Sequence, residues 1–211
     1  MTARPSLSLE DAIAGRRSVR HFADRPVEPE AIDAVLVAAC LAPAPHHTRP
    51  WRFVVLSQDA RAALAEAMGR AWRRDLRQDG VEQGRIEALL ERSRDGIMAA
   101  PALILVGFDA GAQRAWPDPR RRRSETMMFA QSTGAALQNL MLAAHGRGLG
   151  SYWISAPLFC PATVRRALGL PPEFQAQALV ALGYPRAGSR PPPQEAMITP
   201  SPPPHPSTGS G

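Results

Sequence analysis

The chain has 211 residues, 45% of them hydrophobic, and carries a formal net charge of +6 with a sequence pI near 10.8. That is enough for one domain with a sizeable core and excludes a disordered chain; no apolar run approaches the roughly 20 residues that cross a bilayer. The basic balance points to anionic partners, but zinc-finger spacing, a helix-turn-helix signature and interleaved aromatics are all absent, so a phosphorylated small molecule is expected rather than nucleic acid.

Met1 to Glu10 lacks the charged-then-apolar order of a secretory signal, so the expected location is cytoplasmic, with no membrane association. All 25 basic residues are arginine, whose fork suits phosphate and carboxylate better than a lysine point charge does. Cys40 and Cys160 have no metal-ligand spacing, and Cys40 reads as a small buried hydrophobe at a helix end.

Ser8 to Gly15 predicts a short helix capped by Ser8. Arg16-Arg17-Ser18-Val19-Arg20 follows directly, and three arginines and a serine leaving a helix end form either a phosphate clamp or a solvated basic loop. Val27 to Glu30 opens a second helix with Pro29 in its first turn, and Ile32, Val35, Leu36 and Ala39 give it one buried face. The next stretch, Ala42 to Trp51, holds three prolines, two histidines, an arginine and a tryptophan. Neither helix nor central ladder can run through it, which makes it a rigid connector or a place to build a site.

Arg52 to Leu56 predicts a strand. Ser57 and Asp59 cap a helix to about Arg74, and arginines 73, 74 and 77 gather at its end. A further helix ends near Ala100. Pro101 to Phe108, apolar throughout, is expected to be a central strand. Asp109 to Arg123 reads as an irregular loop, and Ser124 to Gly146 as the longest helix, buried on several sides. Glycines 146, 148 and 150 end that helix and do not make a dinucleotide fingerprint. Ser151 to Ser155 (strand), Thr163 to Leu168 (helix) and Gln177 to Gly183 (strand) complete the core. The domain is expected to span residues 1–193. Residues 194–211 form a Pro-rich tail expected to be disordered at its end; from Arg190 to Gly211, 8 of 22 residues are proline.

Five blocks stand in order along the chain: Arg-Arg-Ser-Val-Arg, Pro-His-His-Thr-Arg-Pro-Trp-Arg-Phe, Ala-Pro-Ala-Leu-Ile, Gly-Leu-Gly-Ser-Tyr-Trp-Ile-Ser, and Leu-Gly-Tyr-Pro with a basic arm. Together they resemble the nitroreductase family of FMN-dependent oxidoreductases. The family's usual Asn-x-Gln-Pro-Trp is replaced here by His47-Thr48-Arg49-Pro50-Trp51. With Trp-Pro-Asp-Pro-Arg-Arg-Arg, that departure is similar to the C-terminal domains of the bifunctional coenzyme F420 ligases, the FbiB group. Residues corresponding to their glutamate-adding half are absent.

The resemblance implies an α+β fold, a mostly antiparallel sheet flanked by helices, and a homodimer with FMN at the subunit interface. By the same resemblance Arg16, Arg17, Ser18, Val19 and Arg20 hold the FMN phosphate and ribityl chain. Ser155 meets the flavin ring, and Arg190, or else Arg186, returns to the phosphate. One of His46 and His47 packs near the flavin; the other, with Arg49 and the neighbouring Ala44 and Pro45, meets an anionic substrate. Arginines 73–77 and 120–123 are further candidates for that substrate's phosphodiester and carboxylate.

The chemistry is carried at flavin N5, so no catalytic side chain is required, and none stands out. Nor is a metal expected, because adjacent histidines in extended chain point apart and no further ligands sit at zinc spacing. The implied reaction reduces the enolpyruvyl double bond of dehydro coenzyme F420-0, with NAD(P)H a possible electron donor and a separate glutamate ligase a possible partner. Two alternatives stay open: a general NAD(P)H-dependent nitroreductase or quinone reductase, and a non-catalytic deazaflavin-binding module.

Overall fold

β2 (Ala102–Asp109) and β4 (Phe174–Gly183) pair side by side at the centre of a four-stranded sheet, with β1 (Trp51–Val55) outside β2 and β3 (Gly150–Ile154) outside β4. All three pairings are antiparallel. The computed structural model describes residues 7–188.

The central position predicted for β2 follows from its composition, since seven of its eight residues are buried. Alternate side chains go to opposite faces. Ile104 and Val106 join Val180 and Leu182 beneath α2 (Pro29–Ala39) and α5 (Pro119–Gly146). Leu103 and Leu105 join Leu179 and Ala181 beneath α3 (Gln58–Gln78), α4 (Gln83–Met98) and α6 (Pro161–Leu168). The result is an α+β sandwich with one sheet between two helical layers, as expected.

The pairing slips by one residue where Gln177 bulges from β4 opposite Val106 and Gly107. A Cβ on Gly107 would lie 2.5 Å from the Gln175 carbonyl, so the bulge admits only glycine there.

Helix ends follow local chemistry. Ser8 caps α1 (Leu9–Gly15) by accepting from the Asp11 amide at 3.0 Å, and Ser57 caps α3 by accepting from the Ala60 amide at 3.2 Å. α3 runs a turn beyond the predicted Arg74, locked to α4 by the Arg73–Glu87 ion pair. α5 begins at Pro119, not Ser124. Asp118 accepts from the Arg121 amide at 2.9 Å and Pro119 occupies the first turn, so arginines 120–123 lie on the helix rather than on the expected loop. Four cations there oppose the helix dipole. Two are compensated locally, Arg121 by the Asp118 carboxylate and Arg122 by the carbonyls of Trp116 and Pro117.

Cys40 corrects a second expectation. It sits just past the end of α2 and is exposed, because the helix turns Val35 and Ala39 to the core and Cys40 follows off that face. Buried Arg61 instead takes a structural place: it donates to the carbonyls of Leu56, Ala100 and Pro101, tying α3 to the ends of β1 and β2. Burial lowers its pKa, and those three acceptors compensate the desolvated charge. Among the described residues no helix is long and apolar enough to cross a membrane.

Candidate functional site

The end of α1 delivers Arg16 to Arg20 onto the edge of β3. Val19 is 4% exposed and donates its amide to the Ser151 carbonyl at 2.9 Å, while Ser18 forms a parallel bridge with Ser151. Gly150 permits this approach; a Cβ there would lie 2.7 Å from the Val19 Cβ. Main-chain pairing therefore fixes the segment without using its side chains. Arg17 folds back onto the carbonyls of Ala14 and Arg16 at 2.6 and 2.7 Å. Arg20 lies over the Tyr152 ring, 5.6 Å from its centroid.

A small cleft opens among Arg16, Arg17, Val19, His145, Ser151 and Pro185. Its two guanidiniums and imidazole are a donor set for an anionic group such as a phosphate. His145 is the residue that sequence reasoning missed. It arrives from the last turn of α5 and packs against Gly15, where a Cβ would sit 2.9 Å from its Nε2 and push the imidazole aside. No local signal marks it, because the contact joins the end of α5 to the end of α1.

Ser155, the predicted flavin-ring contact, is exposed and immediately follows β3. It lies about 13 Å along the strand from Ser151, at about 3.3 Å per residue. The apolar side chains near it are uncovered: Trp153 is 39% exposed, Leu158 47% and Phe159 84%. Arg190 lies outside the described residues. Its alternative, Arg186, donates its amide to the His21 carbonyl at 3.0 Å, which brings the arm back beside the Arg16–Arg20 segment.

The second predicted segment lies at the opposite edge of the sheet, at the start of β1. Ala44 packs on the core and Trp51 is 5% exposed, so the tryptophan is core as the simpler reading had it. Between them Pro45–His47 makes one 3-10 turn, closed by the Thr48 hydroxyl and amide, both donating to the Pro45 carbonyl.

The histidines are not in extended chain. His46, His47 and Arg49 have φ of 52°, 56° and 45°, a left-handed region that costs a side-chain-bearing residue about 1–2 kcal/mol. All three are exposed. Three polar residues within four positions thus hold a strained backbone, and such strain clusters at functional sites. Ser132 on α5 anchors its start by donating to the Pro43 carbonyl.

The arginines of α5 follow a loop held by a buried carboxylate. Buried Glu125 accepts from the Trp116 indole at 3.1 Å and the Arg114 amide at 3.4 Å, fixing the loop that precedes them. Cys160 is partly buried, and burial, with Asp75 nearby, raises its thiol pKa, the reverse of what a nucleophile needs. Among the described residues no three His, Cys, Asp or Glu side chains gather within reach of a metal ion.

The model of the nitroreductase family matches residues 13–184. A 5,6-dimethylbenzimidazole synthase of Rhodospirillum rubrum is 32% identical over 205 residues, covering 94% of this chain and 92% of that protein. A nitroreductase-assigned protein of Desulfovibrio desulfuricans, solved in complex with FMN, is 27% identical and superposes with a TM-score of 0.69 over 95% of this chain and all of that one. A BluB-like flavoprotein of Clostridium difficile reaches a TM-score of 0.72 at 24% identity, over 90% of this chain and 95% of that one.

Proposed function

This chain belongs to the nitroreductase family, and on that premise we propose that it is an FMN-dependent oxidoreductase that reduces an anionic substrate, the enolpyruvyl double bond of dehydro coenzyme F420-0. The residues at β3 suit FMN. Arg16 and Arg17 supply cationic donors for its phosphate beside the His145 imidazole, Arg20 lies on the neighbouring Tyr152, and the strand from Ser151 to Ser155 offers length for an elongated molecule. When bound, FMN supplies hydride chemistry at N5. The side chains have the remaining tasks: to hold the phosphate, to orient the substrate and to keep water away. The exposed Trp153, Leu158 and Phe159 beside Ser155 favour a second copy of the chain as the cover, hence a homodimer.

The observation that carries the choice of substrate is the strained His46–Arg49 turn. Where the family pattern places an uncharged Asn-x-Gln, this chain holds His47 and Arg49, with His46 just before them, out to solvent at the backbone's expense. Such a group set recognises carboxylate and phosphate rather than a neutral nitroaromatic.

The test is Arg49→Ala. KM for dehydro coenzyme F420-0 is expected to rise about tenfold, the loss of one charge-assisted contact, while FMN content stays at the wild-type level. An unchanged KM would remove the basis for this substrate.

One comparison favours a second reading. Similarity to the Rhodospirillum rubrum enzyme along nearly the whole chain makes synthesis of 5,6-dimethylbenzimidazole the competing activity. Appearance of that benzimidazole from the purified flavoprotein, with no double-bond reduction, would establish it instead.

A further inference from the structure

Arg52 sits at the exit of the strained turn and makes an unusual set of contacts. Its Nη1 donates to three consecutive carbonyls, those of Arg49, Pro50 and Trp51, at 3.2, 3.4 and 3.0 Å. Its Nη2 donates to Asp109 Oδ2 at 2.8 Å. Asp109 is itself fixed: Oδ1 accepts from the Gly111 amide at 2.9 Å, and its own amide donates to the Pro50 carbonyl at 2.9 Å. One planar fork therefore spans the end of the turn and the end of β2.

Side chains of Arg52 and Asp109 are 47% and 31% exposed, so the ion pair by itself adds little stability. Its geometry matters more. Arg49 has φ of 45° and precedes a proline, a position with few allowed conformations, and its carbonyl needs a donor that strand pairing cannot provide.

We infer that Arg52, braced by Asp109, is the positioning residue for the His46–Arg49 turn, setting the direction in which Arg49 is presented to an anionic substrate. This rests on the proposed role of Arg49. Lysine cannot replace Arg52, because an ammonium on a flexible stem lacks a fork that reaches three carbonyls and a carboxylate together.

The test compares Arg52→Ala, Arg52→Lys and Asp109→Asn with Arg49→Ala, in the FMN-loaded full-length protein, with two readouts. Hydrogen exchange at the Thr48 and Asp109 amides, both bonded within this corner, is expected to speed up about tenfold in both Arg52 variants and less in Asp109→Asn, with the β2–β4 ladder unchanged. KM for dehydro coenzyme F420-0 is expected to rise in parallel at constant kcat and flavin content. Wild-type exchange in Arg52→Ala, or full rescue by lysine, overturns the inference. If Arg49→Ala raises KM and Arg52→Ala does not, positioning by Arg52 fails while the substrate assignment stands. If Arg49→Ala leaves KM unchanged, the substrate assignment fails, and the exchange data alone decide whether Arg52 holds the turn.

Discussion

The Arg16–Arg20 segment and the His46–Arg49 turn both present cationic groups, and they are held in opposite ways. The first lies flat along β3: its amide and carbonyl groups pair with Ser151, its one apolar residue is buried against Gly150, and no residue in it has positive φ. The second has almost no main-chain partner outside itself, carries three left-handed residues, and depends on side chains, those of Ser132, Thr48 and Arg52, to satisfy its carbonyls. Backbone pairing tolerates many side chains, so it suits a cofactor phosphate required whatever the substrate is. A strained, side-chain-braced turn can be reshaped by a few substitutions, which suits the part of a site that selects.

The largest expected effect tests the first half of that contrast. In Gly150→Ala the new methyl lies within 2.7–2.9 Å of three Val19 carbons, all buried. Such overpacking costs about 1–3 kcal/mol. Tm is expected to fall by several degrees and the protein to purify with less flavin, because the Ser18–Ser151 bridge must open to make room. A Gly150→Ala protein with wild-type Tm and full flavin absorbance would show that register against β3 is not what holds the arginines.

The two segments also differed in how far they could be read from the chain. Strand and helix positions came from apolar spacing, which the sheet obeys: Leu103 and Leu105 go one way, Ile104 and Val106 the other. The Arg16–Arg20 block stands out in the chain by its residue types, which suit a phosphate, whereas the strand edge that holds it has no signature there. Three things were not legible. The start of α5 depends on one Asp118 cap outweighing four arginines. His145 joins Arg16 across about 130 positions of sequence, packed against Gly15. Left-handed backbone at His46, His47 and Arg49 is rare for any residue with a side chain, even histidine, so no propensity argument reaches three such residues in four positions; Ser132 and Arg52 brace the segment only at its two ends.

Backbone strain gives the next prediction, of intermediate size. At His46, with φ of 52°, glycine relieves the clash that any Cβ creates, whereas alanine retains it. His46→Gly is therefore expected to be about 1 kcal/mol more stable than His46→Ala. At Ser18, in the segment without positive φ, the order should invert, glycine being the worse by about 0.5–1 kcal/mol. Chemical denaturation of the four variants measures both differences. The same order at both positions would dissolve the distinction between a paired segment and a strained one.

The smallest effect concerns the one place where the first segment's continuation also relies on side chains. Beyond Arg20 the chain bonds to the arm leaving β4, with Phe22 bridged to Pro185 and the Ala23 amide donating to the Tyr184 carbonyl. Glu28 closes this strap: it accepts from the Tyr184 hydroxyl and from Arg25 at 2.7 Å, and the Arg25 guanidinium lies over the Tyr184 ring. Those contacts, the Tyr184 hydrogen bond first, lower the Glu28 pKa from 4.5 to about 2. A carboxylate whose folded pKa is depressed stabilises the fold fully above its unfolded pKa. That contribution is lost as pH falls from about 4.5 through about 2. Glu28→Gln should accordingly sit a little below wild type in Tm at pH 6, with the gap closing progressively as the pH is lowered through that window. The group is exposed, so the gap should also shrink in high salt. A gap that stays constant down to pH 2 would mean that Glu28 acts without its charge, and no gap at pH 6 would mean that the strap, like the Ser18–Ser151 register, is held by its main chain alone.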